Sequence, residues 1–463
     1  MDQAQLEKFV EEAASRLEVP GVAVGVYADG QEQYAFQGVT SIENPLPVDA
    51  STLFQFGSTG KTFTATAMMR LVDQGRVDLN EKVRTYVPEL KLKDESVARE
   101  VTVLQLFNHT AGWQGDFFAD TGQGDDALAK FVEKMADLEQ VAPLGSAVSY
   151  NNASLCLAGR IIEKVTGQTF EQVIKESLLD PLGLKDTFYF SWEIMSRRYT
   201  IGHEQRPDGK IKVLRKAYES RSAHPAGGNV TATAADQIAW ARFHLGDGRA
   251  ADGTRVLSEE LLRQMQQPTA ESPGSAIGDA VGISWLLREV EGVRLVEHGG
   301  TTNGQLSEFQ LVPERDFAVI TMTNCTPSGR QFNDEVVKWA LEAYLGIVDK
   351  DPEPLSPTDE ELAPFTGTYE TIAVKVDITA EDGRLILNVE PKPETIRQLR
   401  EEGEEVPEQP PIPIGLLPGE GDLHIVTDGP AKGMKGYFVR GKSGEIEGIH
   451  VGGRLATKTG TTK

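Results

Sequence analysis

The sequence has only two cysteines, fewer bases than acids and no long apolar run, and each of these absences excludes a class of protein. Cys156 and Cys325 cannot build a disulfide framework or a four-thiolate zinc site, and the runs around them favour buried packing. The 46 basic residues against 70 acidic ones leave a net charge of −24, which nucleic acids and anionic membranes would repel. No apolar run approaches the about 20 residues of a membrane-spanning helix.

The composition is that of a folded protein. Hydrophobic residues make up 39% of the 463 positions and aromatic residues 7%, which is enough for packed cores. This length allows about three domains, or one large domain with an appendage. The first residues are acidic and amphipathic, without the basic and apolar regions of a secretion signal, so we expect a cytoplasmic protein unless a signal peptide was removed.

One composition break divides the chain. Residues 349–364 hold four prolines and six acidic residues, which predicts a semi-extended linker, because proline restricts φ and like charges repel. Residues 1–348 mix helical and strand patterns. Residues 365–463 contain short alternating segments separated by Gly, Asp and Pro, a pattern typical of a small antiparallel barrel. Within them, the proline-rich stretch 407–422 is expected to be a loop.

The first domain has strand patterns at both of its ends and helical patterns between them. The strands are expected at 21–27, 33–37, 307–312 and 317–323, and the helices at 5–17, 58–73 and 153–165. This order favours an antiparallel sheet flanked by helices over a repeating βαβ arrangement. The predicted fold class is therefore a mixed α/β domain followed by a small all-β barrel.

The segment from Gln55 to Thr62 has two interpretations. Gly60-Lys61-Thr62 matches the end of a phosphate-binding loop, but that pattern requires glycine at position 55. Ser58 and Lys61 also form a Ser-x-x-Lys pair on one turn of a helix. A serine hydroxyl needs a nearby base to become a nucleophile, and a lysine whose pKa is lowered by burial can be that base.

Two further motifs follow along the chain. Tyr150-Asn151-Asn152 precedes a helix, where a phenol could relay protons and Asn152 could donate to a substrate amide oxygen; an ordinary helix-capping turn is the alternative. Glu297-His298-Gly299-Gly300-Thr301 leads into a strand. Glycines there would let a substrate backbone approach closely, and a simple glycine-rich bend is the alternative.

Taken in order, these three motifs resemble those of the penicillin-recognising serine hydrolases. The closest branch contains class C β-lactamases, D-amino-acid peptidases and lactamase-like esterases, and the motif gaps of 150 − 58 = 92 and 298 − 150 = 148 residues suit it. Two stretches add to the resemblance, 108–113 (Asn-His-Thr-Ala-Gly-Trp) and 225–229 (Pro-Ala-Gly-Gly-Asn). The resemblance covers about residues 5 to 345 and implies an antiparallel sheet packed against a helical subdomain. The second domain resembles a lipocalin-like β-barrel.

The resemblance also implies a role for each motif residue. Ser58 would be the acylated nucleophile, Lys61 and Tyr150 the proton-transfer pair, and Asn152 a substrate ligand. The backbone N–H groups of Ser58 and Thr301 would form the oxyanion hole, beside His298, Gly299 and Gly300. No cofactor or metal is implied, and the partner would be a small-molecule or peptide substrate. A homo-oligomer is left open.

One departure from the family pattern concerns the third motif. Classical β-lactamases have Lys-Thr-Gly where this chain has His298-Gly299-Gly300, and a histidine is mostly neutral at pH 7. Esters and peptide amides are therefore favoured as substrates over an anionic β-lactam. A literal Lys458-Thr459-Gly460 lies beyond the expected linker and is interpreted as coincidence. Acylation without efficient turnover, as in a penicillin-binding or sensor protein, remains the alternative function, with nucleotide binding at Gly60-Lys61 more remote.

Overall fold

The computed structural model describes residues 2–401, 410–419 and 422–460, and the chain divides into two compact units. The first unit comprises Met1–Gln140, Asn151–Ala270 and Ala280–Asp349, and the second comprises Val141–Tyr150, Glu271–Asp279 and Lys350–Lys463. The structure differs here from the expected division, because two short segments of the first domain are grouped with the second unit.

Six strands of the first unit lie side by side in the order β2-β1-β8-β7-β6-β5, and every pair among them is antiparallel. These six strands are β1 Gly21–Ala28, β2 Gln31–Gly38, β5 Leu286–Val290, β6 Val293–Thr302, β7 Gln305–Val312 and β8 Phe317–Thr323. Two further strands, β3 Ala270–Ser275 and β4 Gly278–Val281, precede β5 in the chain. The predicted antiparallel sheet flanked by helices is therefore confirmed.

The central strands are buried on both faces. All seven residues of β8 and seven of the eight residues of β1 are buried, so burial in these strands is continuous instead of alternating between the two faces. The helices of the first unit are α1 Gln3–Arg16, α2 Lys61–Asp73, α3 Val83–Tyr86, α4 Glu95–Glu100, α5 Val103–Phe107, α6 Ala127–Lys134, α7 Asn152–Thr166, α8 Phe170–Ile174, α9 Asp180–Leu182, α10 Ser191–Ile194, α11 Ala234–Leu245, α12 Glu259–Met265 and α13 Ser328–Ala340. Helices α1 and α13 share a core cluster with β1 and β8, while α11 packs directly on these two strands. Their packing fixes the sheet whose strand β6 carries the third motif.

The second unit contains a closed antiparallel barrel of eight strands. Its strands are β9 Gly367–Glu370, β10 Val374–Glu381, β11 Arg384–Pro391, β12 Ile412–Leu416, β13 Leu423–Val426, β14 Lys435–Arg440, β15 Ile446–Val451 and β16 Arg454–Gly460. Each strand pairs with the next along the chain, and β16 pairs with β9 to close the barrel. Tyr369, Ile378 and Ile449 are fully buried in its core. The predicted barrel is confirmed.

Two segments of the second unit differ from their predictions. The expected linker contains a helix, α14 Asp359–Leu362, which begins at a capping box formed by Thr358 and Glu361. Leu362 and Phe365 belong to the barrel core, so only the first part of 349–364 has the expected irregular backbone. The proline-rich stretch predicted as a loop holds β12, and its residues 407–409 and 420–421 lie outside the described residues. The remaining helix is α15 Pro393–Glu401. None of the helices described is long and apolar enough to cross a membrane.

Candidate active site

Ser58 lies in a tight turn that leads directly into α2. A 3₁₀ turn, Gly57–Gly60, precedes the helix, and Ser58 is its only partly exposed residue. Gly57 has a φ of +55°, and a Cβ atom there would lie 2.8 Å from the backbone nitrogen of Thr301. Glycine is therefore required at position 57 for both its conformation and the close approach of the two backbones.

Lys61 is the first residue of α2, and its side chain is fully buried. Its Nζ donates a hydrogen bond to Ser58 Oγ at 3.0 Å and another to the carbonyl oxygen of Ala226 at 2.7 Å. Ala226 ends the 3₁₀ turn Arg221–Ala226, and the next residue, Gly227, packs against the Ser58 turn so closely that a Cβ would lie 2.1 Å from Gly57 O. The amine is thus held at the serine hydroxyl, as an activated serine requires.

Strand β6 passes directly beside the Ser58 turn. A Cβ atom on Gly300 would lie 1.9 Å from the carbonyl oxygen of Phe56, so only glycine fits at this position. Two buried hydroxyls hold the strands to the turn: Thr59 Oγ1 donates to His298 O at 3.0 Å, and Ser307 Oγ donates to Phe56 O at 2.8 Å. The structure therefore brings Ser58, Lys61 and residues 298–301 together.

His298 is buried and uncharged. Only 1% of the residue is exposed, and its Nδ1 lies 2.6 Å from Gly299 O. Burial, together with the positive charge of Lys61, lowers the pKa of His298 to about 3. The imidazole is therefore neutral at pH 7 and cannot act as the permanent cation that the lysine of Lys-Thr-Gly provides.

The second motif begins helix α7. Asn151 is the capping residue, since its Oδ1 accepts from the N–H of Ser154 at 2.9 Å, and its own N–H donates to His109 Nδ1 at 3.2 Å. Asn152 Nδ2 donates to Asp116 Oδ1 at 2.9 Å. Helix α7 packs against α2 and the Arg221–Ala226 turn. The capping alternative therefore applies to Asn151, whereas the substrate-binding role of Asn152 stays a prediction.

Tyr150, the residue before this helix, is grouped with the second unit. It is buried, its N–H donates to Gly453 O at 2.9 Å, and the Arg454 guanidinium carbon lies 4.8 Å from the centre of its ring. All three residues belong to that unit. Proton transfer by Tyr150 stays a prediction.

The other features noted in the sequence have structural explanations. The Lys61 amine is buried against Ser58 and Ala226, and the strand before the turn, Phe54–Gln55, pairs antiparallel with Thr231–Ala232, so the segment does not match a phosphate-binding loop. Lys458 lies in β16, where its Nζ donates to Pro364 O at 3.0 Å. Both cysteines are free and buried, and no His, Cys, Asp or Glu cluster that could hold a metal occurs among the described residues.

Sequence reasoning missed the partners of the motif residues. The carbonyl of Ala226, the carboxylate of Asp116 and the hydroxyls of Thr59 and Ser307 all contact residues of the motifs or the Ser58 turn. The only available signal was the family-like stretch 225–229, which marks the location of Ala226 without indicating that its backbone oxygen holds Lys61.

Comparisons with known proteins identify the family of the chain. The family model described as Beta-lactamase matches residues 6–342. Penicillin-binding protein 4 of Amycolatopsis lactamdurans is 34% identical over 381 residues, which cover 80% of this chain and 98% of that relative.

Two solved structures show the same fold. The crystal structure of SurE with D-Leu has a TM-score of 0.75 and 23% identity over 99% of both chains. A class C β-lactamase from Rhodobacter sphaeroides has a TM-score of 0.58 and 22% identity over 73% of this chain and 99% of its own. The extent of the family match and the identity to the Amycolatopsis protein establish that the chain belongs to the β-lactamase family of serine hydrolases.

Proposed function

We propose that the protein hydrolyses an ester or peptide amide through an acyl-enzyme on Ser58. The observation that carries this proposal is the Lys61 Nζ, which donates to Ser58 Oγ at 3.0 Å while Ala226 O holds it from the other side. The neutral form of the Lys61 amine accepts the proton of the serine hydroxyl, with Tyr150 as its partner in proton transfer. Ser58 Oγ then attacks the carbonyl carbon of the substrate.

The oxyanion of the tetrahedral intermediate is stabilised by the backbone N–H groups of Ser58 and Thr301. The close approach of Gly57 to the Thr301 backbone supports this assignment. Removing one such donor lowers kcat by about 100- to 1,000-fold in a well-studied serine hydrolase. As it departs, the leaving group takes back the proton that the Lys61–Tyr150 pair accepted from Ser58. A water that gives one proton to Tyr150 then cleaves the acyl-enzyme, and this proton returns to Ser58 Oγ and regenerates the hydroxyl.

The electrostatics of the third motif supports the proposed substrate class. Because the buried His298 is neutral, it offers no permanent charge to a substrate carboxylate. Neutral esters and amides are therefore favoured. SurE, a protein of the same fold, was crystallised with D-Leu, and this supports testing D-amino-acid derivatives.

Labelling and a substrate screen test the proposal. A fluorophosphonate probe should modify Ser58, as identified by peptide mass spectrometry, and Ser58→Ala should lower hydrolysis of p-nitrophenyl acetate by at least about 1,000-fold. Ser51→Ala, which changes an exposed serine of the same unit, serves as the matched control. The screen compares short-chain esters, D- and L-amino-acid amides and a chromogenic cephalosporin. Wild-type protein that takes no label and hydrolyses none of these substrates would refute the proposal.

A second candidate function is acylation by penicillin without efficient turnover. The name of the Amycolatopsis relative, penicillin-binding protein 4, favours it. Intact mass spectrometry after a penicillin pulse separates the two functions. An adduct on Ser58 that survives for hours supports the binder, whereas an adduct lost within seconds supports the hydrolase.

A further inference from the structure

A buried ionic cluster lies on the turn that ends at Ala226. Its centre is Glu171 of α8, which is 9% exposed. Arg221, the first residue of the turn, donates from Nε and Nη2 to the two carboxylate oxygens, each at 3.0 Å. Its Nη1 donates to Gln123 O at 2.9 Å and to Asp125 Oδ1 at 2.8 Å. The guanidinium therefore fixes the start of the turn through four hydrogen bonds in a rigid planar geometry.

The protonation of His224, three residues further along the turn, follows from its neighbours. The Asn229 Oδ1 accepts from the N–H of Glu219 at 2.6 Å, so the amide nitrogen of Asn229 faces His224 Nε2, at 3.0 Å. Because that amide nitrogen can only donate, His224 Nε2 accepts and its Nδ1 carries the proton. Nδ1 then donates to Glu171 Oε1 at 2.7 Å.

Glu171 thus receives hydrogen bonds from both residues of the turn. Burial by itself would raise the pKa of this carboxyl group, but the hydrogen bonds from His224 and Arg221 outweigh burial and lower the pKa to about 2. The cluster therefore combines a buried carboxylate with a guanidinium and an imidazole that both donate hydrogen bonds to it.

The cluster is directly connected to the Lys61 amine through the backbone. His224 is followed by Pro225, whose carbonyl oxygen accepts from Thr64 Oγ1 at 2.7 Å, and by Ala226, whose carbonyl oxygen accepts from Lys61 Nζ at 2.7 Å. Gly227, with a φ of +93°, then reverses the chain. Two consecutive carbonyl groups of this turn thus contact α2, and the side chains that hold the turn in place belong to the cluster.

We propose that Glu171, Arg221, His224 and Asn229 are positioning residues, which fix the Ala226 carbonyl and thereby hold the Lys61 amine at Ser58. The inference rests on the proposed function, because it concerns the base of that reaction. A misplacement of about 1 Å in a catalytic group can lower a rate about 100-fold. Loss of the cluster should therefore reduce kcat while substrate binding, measured as KM, changes little.

The His224 variants give the primary test. His224→Phe removes both hydrogen bonds of the imidazole and leaves the Arg221–Glu171 pair intact. It should lower kcat for p-nitrophenyl acetate about 10- to 100-fold with KM within about threefold of wild type. His224→Asn keeps an N–H that can reach Glu171, and it should restore kcat to within about threefold of wild type. An unchanged kcat in His224→Phe, or equal losses in both variants, would overturn the proposal.

Glu171→Gln and Asp349→Asn provide a matched comparison. Each removes a carboxylate from an arginine, buried in the case of Arg221 and half-buried in the case of Arg288, whose Nη1 donates to Asp349 Oδ2 at 2.6 Å. Both should lower the melting temperature, but only Glu171→Gln should also lower kcat. Equal kcat values in the two variants would show that the cluster is only structural. If Glu171→Gln does not fold, the two His224 variants decide whether the cluster positions Lys61. Wild-type protein without Ser58 labelling or ester hydrolysis would overturn the proposed function and this inference together, whereas active wild type with unaffected variants overturns only the inference.

Discussion

Replacing Gly300 by alanine tests whether strand β6 completes the active site. A Cβ atom at this position would lie 1.9 Å from Phe56 O and 2.8 Å from Ser307 Oγ. The Phe56 oxygen belongs to the backbone, so it cannot rotate away as a side chain would. To reach even 3.0 Å, the shortest separation that real Cβ atoms show, the strand and the Ser58 turn must separate by 3.0 − 1.9 = 1.1 Å.

Such a displacement carries the Thr301 N–H away from the Ser58 turn. A shift of about 1 Å costs about 100-fold in rate, and this corresponds to about 2.7 kcal/mol of transition-state stabilisation. We therefore expect Gly300→Ala to lower kcat for an activated ester by about 100-fold. The melting temperature should fall too, because an overpacked core position costs about 1–3 kcal/mol.

Gly299→Ala is the comparison within the same strand. Its Cβ would meet the Glu308 carboxylate at 2.7 Å, and that carboxylate is the end of a flexible side chain that can move. We expect a smaller loss of kcat than in Gly300→Ala. Steady-state hydrolysis of p-nitrophenyl acetate and thermal unfolding measure both variants. A Gly300→Ala protein with kcat within threefold of wild type would refute the reasoning.

Three further predictions concern charge and domain organisation. The pKa of His298 falls from 6.5 in the unfolded chain to about 3 in the folded protein, so only the unfolded state binds the proton between these values and the stability of the fold drops as the pH falls from 6.5 to 3. Between pH 7 and pH 5, the melting temperature of His298→Gln should therefore fall by less than that of the wild type. Equal decreases in melting temperature would contradict this prediction. Lys61→Met should abolish ester hydrolysis without lowering the melting temperature, because an apolar side chain of similar length replaces a buried amine; a large fall in melting temperature would contradict it. Truncation after residue 357 should abolish hydrolysis, because Tyr150 loses its contacts with Gly453 and Arg454. Unchanged kinetics in the truncated protein would count against a catalytic role of Tyr150.

Periodicity in the sequence identified the elements with strong patterns. The apolar runs of β1 and β8 and the glycine that ends α7 gave bounds within one or two residues of those observed. Strand β12 was missed because it contains Pro413, and proline is typical of a loop. The barrel tolerates this proline within a strand, but the sequence pattern gives no sign of that. Helix α14 was missed because its acidic residues suggested an extended chain, whereas Leu362 anchors it in the barrel core.

The part of the candidate site that depends on the type of side chain could be predicted from the sequence. Ser58, Lys61 and residues 298–301 could be proposed from motifs, because the family that the sequence resembles has matching residue types in the same order along the chain. The partners could not be named, since the Ala226 contact uses a backbone oxygen that every residue has. The Glu171–His224 pair joins residues 53 positions apart, and no local pattern indicates such a contact.

The pairing of β16 with β9 has a consequence for biosynthesis. Strand β16, which closes the barrel, is synthesised about ninety residues after its partner β9. The turn before β16 contains Gly453, whose carbonyl oxygen accepts from the backbone N–H of Tyr150, a residue that is synthesised about three hundred positions earlier. On the ribosome, Ser58 and Lys61 emerge long before the barrel can close. Chains released early would therefore carry Ser58 and Lys61 but would lack the contacts that Gly453 and Arg454 make with Tyr150.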